Sequence, residues 1–154
     1  MKLNDKGIKL ISEFEGFSDR PYYATQEEKQ KGITTIGFGL TFYPNGKKVE
    51  FIDKPITRDT AIYYLEQVAE KFALQVSKLI IKELTQNQFS ALVSLAYNIG
   101  IGNFSKSTLL KLVNNNPNDA NIAKEFLKWN KQAGKELKGL TNRRIAESAL
   151  YFTK

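Results

Sequence analysis

Apolar positions recur at helical spacing at the start of the chain. Ile8, Leu10, Ile11 and Phe14 share one face, Asn4 stands where an N-cap belongs, and Gly16 follows Glu15 where a helix can stop in a left-handed conformation. This pattern predicts a first helix ending near Glu15. The texture then changes over residues 17–56, which hold three of the four prolines. Short strands are predicted over 33–39, 40–43 and 49–52, with a turn at Pro44-Asn45-Gly46, giving a small β-rich lobe.

From Thr57 the helical period returns. Ala61, Tyr64, Leu65, Val68, Phe72, Val76, Leu79 and Ile80 define one long amphipathic helix, which would span roughly 36 Å and join two lobes. Thr85-Gln86-Asn87-Gln88 has the pattern of a capping box. It opens a segment with Phe89, Leu92, Val93, Ala96 and Ile99, apolar on more than one face and so predicted to be a buried central helix that Gly100 and Gly102 end. Shorter helices are predicted near 106–114, 118–130 and 141–152. No repeat or low-complexity linker interrupts the chain. The expected architecture is α+β, a single domain over 1–154. A small β lobe (about 17–56) and a larger helical lobe (about 57–154 plus the first helix) would flank a cleft.

Composition narrows the chemistry. Cysteine and histidine are absent, which removes disulfides, thiolate chemistry, His-based triads and the commonest metal ligands. Acid–base work near neutral pH falls to carboxylates, Lys or Tyr. Scattered carboxylates and the lack of nucleotide-binding glycine motifs imply no metal and no cofactor. Lys plus Arg number 23 against 16 Asp plus Glu, a net charge of +7 that favours polyanionic partners. No apolar run approaches the roughly 20 residues that cross a bilayer, and Met1-Lys2-Leu3-Asn4-Asp5 has no apolar signal core. No export signal is therefore expected in this chain, and an extracytoplasmic job would need another release route or a longer parent chain.

Glu15 is the leading chemical candidate. The peptide dipoles leave about half a negative charge at a helix C-terminus, which favours the protonated acid and suits a proton donor. Without His or Cys, and with an expected cleft, two-carboxylate glycosidase chemistry becomes a leading enzyme hypothesis.

The segments around Glu15 and beyond carry a family pattern. Phe14-Glu15-Gly16-Phe17 with Tyr22, Thr35-Ile36-Gly37-Phe38-Gly39, and 84–93 (LTQNQFSALV) lead it. Tyr97-Asn98-Ile99-Gly100, 104–110 (FSKSTLL), 126–130 (FLKWN), Gly134-Lys135, and 139–144 (GLTNRR) with Glu147 follow in order. Together these resemble the phage-type lysozymes, the muramidase endolysins of glycoside hydrolase family 24. The resemblance implies hydrolysis of the β-1,4 bond between N-acetylmuramic acid and N-acetylglucosamine in peptidoglycan. It implies Glu15 as general acid and Thr35 as the threonine that holds the attacking water. It also implies bacteriolytic action and a stay in the host cytoplasm until release to the cell wall, and a monomer is the default expectation for such a muramidase.

The sequence departs from that pattern at one decisive place. The family sets an Asp or Cys nine residues after the acid, and nine after Glu15 is Ala24. The segment before Thr35 is also longer. An insertion would let Glu27 or Glu28 supply the second carboxylate; Asp19 is another candidate; or the carboxylate is missing and the chain is a weakened or inactive lysozyme-like domain that binds peptidoglycan or a protein partner. The segment 26–31 reads as a solvated polar loop. Leu40 stands where relatives carry a polar residue, often His.

Substrate-binding candidates are Gly37, Phe38 and Gly39, whose glycines would let backbone approach a sugar or simply make a turn, and Asn98 with Gly100 at the end of the central helix. Trp129, at helical spacing from Phe126, reads as core. Arg144 and Glu147 read as an exposed helix pair contributing about 0.2–0.5 kcal/mol. With Lys128, Lys131, Lys135, Lys138 and Arg143, Arg144 makes the C-terminal third basic, suited to an anionic wall polymer or membrane surface. A nucleic-acid partner is not expected, since charge alone supports it.

Overall fold

The computed structural model describes residues 1–154. Eight helices and two short antiparallel ribbons follow in the order α1 (Asp5–Glu15), β1 (Ser18–Tyr22), α2 (Gln26–Gln30), β2 (Thr35–Gly37), α3 (Arg58–Leu79), α4 (Gln86–Ile99), α5 (Ile101–Lys106), α6 (Thr108–Asn115), α7 (Asn121–Leu127), β3 (Lys131–Gln132), β4 (Lys135–Glu136) and α8 (Lys138–Tyr151). The chain divides into two compact units. A helical unit comprises Met1–Ile11 and Ala69–Lys154, and a smaller unit comprises Ser12–Val68. Helices α1 and α3 each supply residues to both.

In the helical unit, α4 is the central element. Its residues from Gln88 to Ala96 are all buried, and burying each large apolar side chain among them contributes about 1.5–3 kcal/mol. The capping box forms as the pattern predicts: Thr85 Oγ1 accepts from Gln88 N at 3.1 Å, and Thr85 N donates to Gln88 Oε1 at 2.9 Å. Asn4 caps α1 by accepting from Gly7 N at 3.0 Å, and its own backbone N donates to Ser90 Oγ on α4. Trp129 packs against this core.

The C-terminal charges behave differently from the exposed pair expected. Arg143, Arg144 and Glu147 are buried, Glu147 completely. Arg144 holds the carboxylate in a fork, with Nε 2.7 Å from Oε1 and Nη2 donating to Oε2 at 3.2 Å. Arg143 Nε donates to Oε2 at 3.3 Å, and Ser94 Oγ on α4 donates to it at 2.5 Å. Arg144 also reaches the Trp129 carbonyl. Burial pushes the Glu147 carboxyl up, and the two guanidinium groups and Ser94 pull against that shift. The cluster locks α8 to α4, so these arginines are not part of a basic surface. The i, i+3 spacing is the same for exposed and buried pairs; only the depth of α8 separates them.

Other boundaries also move. Gly100 caps α4 with φ +89°, but Gly102 lies inside α5. The stretch 131–136 is a hairpin turning at Ala133-Gly134, both with positive φ, and α8 begins at Lys138.

In the smaller unit, strand 33–39 shortens to Thr35–Gly37 and pairs with an unexpected partner, Ser18–Tyr22. Pro21 in that segment masks it as a strand. Residues 40–52 contribute only the bridges Ile36–Leu40 and Phe42–Lys48. The polar segment 26–31 is no loop: α2 forms because Thr25 Oγ1 accepts from Glu28 N at 3.0 Å. Ile36, Leu40 and Val49 are the core of this unit, with Tyr43, Ile56, Tyr64 and Val68 packed around them. No helix in the protein is long and apolar enough to cross a membrane.

Candidate active site

The smaller unit gathers the principal candidates. Glu15 is the last residue of α1, and Gly16, with φ +70°, turns the chain out of the helix into β1. The register of the β1–β2 ribbon sets Tyr22 opposite Thr35 and Ser18 opposite Gly37. After β2 the backbone folds back at once: Ile36 N donates to Leu40 O at 2.9 Å and Leu40 N to Ile36 O at 3.0 Å. Gly37 and Gly39 in this tight turn both have positive φ, where side-chain-bearing residues are strained.

The turn has a second function. A Cβ on Gly39 would overlap Glu15 Oε2 and lie 3.0 Å from its Cδ. The group that closes on Gly39 is thus the carboxylate of Glu15. The glycine lets the turn after Thr35 pack directly against the candidate acid.

Phe38, between the two glycines, is 1% exposed. Its ring lies 5.4 Å from that of Phe17 and 5.3 Å below the Arg58 guanidinium, which also covers Phe17 at 5.7 Å. Its ring is therefore packed within the protein. Arg58, the first residue of α3, carries no sequence signal for this role.

The carboxylates beyond Glu15 separate by environment. Glu27 is exposed, and its Oε1 accepts from Lys31 Nζ at 2.7 Å. That contact holds its carboxyl below the usual range. Glu28, one residue on, turns inward: its Oε2 is shielded from solvent and has no hydrogen-bond partner. Burial, Glu15 and Glu28 together push the Tyr22 phenol up, so both carboxylates act on the same hydroxyl. Tyr22 therefore sits in the field of two acids while its strand position faces Thr35, a role its place in the motif does not reveal. Asp19 is an exposed β1 residue and Ala24 is exposed before α2. Asn98, exposed, and Gly100 belong to the helical unit. No group of three or more His, Cys, Asp or Glu is arranged to hold a metal ion.

The whole of this site lies inside a family match. Residues 12–147 match the family described as Phage lysozyme. The chain belongs to the phage lysozyme family. It is 38% identical to the endolysin of Bacillus phage B103 over 153 residues, covering 99% of this chain and 55% of that protein. The chain thus spans about half the length of the Bacillus phage relatives it matches. Among solved structures, the endolysin of Escherichia coli O157:H7 phage FAHEc1 superposes with TM-score 0.85 at 38% identity, covering 99% of this chain and 94% of that one. The muramidase domain of SpmX from Asticaccaulis excentricus gives TM-score 0.83 at 30% identity, covering 99% of both chains. The lysozyme-like fold expected from the motifs is therefore the fold observed, and it is that of lysozyme-type glycoside hydrolases.

Proposed function

We propose that this chain cleaves the β-1,4 bond between N-acetylmuramic acid and N-acetylglucosamine in peptidoglycan, with Glu15 as general acid. A glycosidic oxygen leaves poorly unless protonated, and a second group must activate water or steady the oxocarbenium-like transition state. The observation that carries this reading is the contact of the Glu15 carboxylate with Gly39, in the turn that follows Thr35. It holds a proton donor against the strand that bears the water-holding residue, and a positioned acid of this kind contributes about 10²–10⁴-fold.

Glu28 is the second carboxylate in this proposal. Its shielded, unpartnered oxygen and its action on the same phenol as Glu15 support it over Glu27, which Lys31 engages. The longer segment between Ala24 and Thr35 moves the carboxylate into α2, and the Thr25 cap fixes the backbone that presents it. Thr35 holds the attacking water, and Tyr22 keeps its proton between the two acids.

Digestion of purified peptidoglycan followed by borohydride reduction tests the bond. Reduced N-acetylmuramic acid at the new ends is the expected product; reduced N-acetylglucosamine would contradict it. Ala24 supports a second reading, a domain that binds the wall without cutting it. That reading requires no new reducing ends while the protein still sediments with the polymer.

A further inference from the structure

A groove of about 470 Å³ opens in the smaller unit and shares no residue with the site around Glu15. Tyr43, Tyr63 and Tyr64 supply its aromatic surface, and Lys47 and Lys54 stand among its lining. Its volume suits a ligand of one or two sugar rings. Tyr43 and Tyr64 meet edge to face at 5.9 Å and join the buried cluster of this unit, so they form a fixed floor. Tyr63 is 57% exposed, which leaves a ring face for a ligand.

The polar groups are arranged for a sugar with an anionic group attached through its peptide. Tyr43 Oη donates to Asp53 Oδ2 at 2.7 Å, and Glu50 N donates to the same oxygen at 2.9 Å. Both bonds fall on one carboxylate oxygen, so Oδ1 is open to accept from a sugar hydroxyl. Burial and Asp53 push the Tyr43 phenol up, which keeps that hydrogen bond intact across the working pH range. The turn that carries Lys47 is closed by Tyr43 N donating to Lys47 O and by Asn45 Oδ1 accepting from Lys47 N. Neither Lys47 nor Lys54 forms an ion pair. Two unpaired lysines in the lining of an aromatic groove complement a sugar whose attached peptide carries a carboxylate.

We propose that this groove is a second wall-binding site, which takes an N-acetylated sugar unit of peptidoglycan together with a carboxylate of the peptide attached to it, and holds the protein on the polymer. The identity of the ligand rests on the proposed substrate; the groove itself does not depend on Glu15. Its occupancy keeps the enzyme on an insoluble wall between cleavage events.

Sedimentation with purified peptidoglycan stripped of phosphate-bearing polymers tests the site. It is done with Glu15→Gln protein, so that the wall stays intact and retention is read independently of hydrolysis. The double variant Lys47→Glu/Lys54→Glu is expected to weaken retention roughly tenfold, the scale of two exposed charge contacts, and to flatten its salt dependence. Tyr63→Ala is expected to weaken it several-fold, whereas Tyr63→Phe, which keeps the ring face, retains it. All variants are expected to keep the parent thermal midpoint, because the three substituted side chains are exposed. Unchanged retention in the double variant and in Tyr63→Ala would overturn the site. A loss by charge reversal alone, with Tyr63→Ala unaffected, would also overturn it, since that pattern is unspecific attraction. Retention only on walls that keep their phosphate polymers would overturn the carboxylate assignment. Loss of hydrolysis by wild-type protein with retention preserved would sink the catalytic reading and leave the groove standing.

Discussion

Glu15 and Glu147 are the same residue type near the ends of two helices, one in each unit of the molecule. Glu147 is enclosed by two guanidinium groups and a hydroxyl from a neighbouring helix, and it has no access to solvent. Glu15 is half-buried, and the glycine backbone that closes on it leaves room for nothing larger. The first arrangement fixes structure and leaves no approach for a substrate. The second holds the proposed acid while leaving it partly exposed. Environment, more than residue type or helix position, separates a structural carboxylate from a candidate chemical one.

The largest expected effect is on activity at the half-buried acid. Glu15→Gln keeps the shape and removes the proton, so release of reducing ends should fall about 10²–10⁴-fold. Next is stability at the enclosed one. Glu147→Ala leaves Arg143 and Arg144 buried without their anion, which costs about 3–5 kcal/mol; a denaturant midpoint would show it.

Gly39→Ala joins the two kinds of effect. The methyl must displace the Glu15 carboxylate and sit at positive φ, a strain of about 1–2 kcal/mol. A displacement of the acid by about 1 Å is on the order of a hundredfold in turnover. Steady-state rates should therefore fall more than the loss of stability explains, and unchanged turnover would mean that the contact does not position the acid.

Smaller still is the contrast within α2. Glu28→Gln should lower turnover at least about tenfold, while Glu27→Gln, which only releases exposed Lys31, should leave it unchanged. Equal effects would remove Glu28 from its proposed role.

The last effect is on pH stability. Tyr22, Tyr43 and Tyr151 all have phenols pushed up in the folded state, by burial first and, for Tyr22 and Tyr43, by nearby carboxylates as well. Above the ordinary value of 10.0, the unfolded chain releases these protons and the folded chain keeps them. The unfolded state then binds fewer protons, so stability must fall as pH rises past that point. The part of the phenolate absorbance that belongs to these three tyrosines should rise late and together with unfolding.

Much of this was legible in the chain because the signals were local. The Thr85–Gln88 box, the Asn4 cap, the Gly16 stop and the period of α3 each act within a few residues. Glu15 and Thr35 were singled out as candidates through the family motif. What escaped depended on distant partners. Five polar residues from Gln26 to Gln30 carry no periodicity that distinguishes a helix, and nothing local makes Glu28 turn inward while Glu27 turns out. Pro21 argues against a strand until β2 is there to pair with it. The glycine at 39 reads equally as a turn or a sugar contact, and its packing on the Glu15 carboxylate has no local signal. Charges spaced three and four apart on α8 look like a solvated face until Ser94 on α4 meets them.

One paired measurement tests the central distinction most directly: reducing-end release and thermal midpoint, taken on the same preparations of Glu15→Gln and Glu147→Gln. The expected result is opposite behaviour. Glu15→Gln keeps its midpoint and loses release at every temperature, and Glu147→Gln loses its midpoint but releases reducing ends at low temperature, where it is folded. Release by Glu15→Gln at the wild-type rate, or a loss that only tracks its unfolding, would contradict the assignment of Glu15 as the acid.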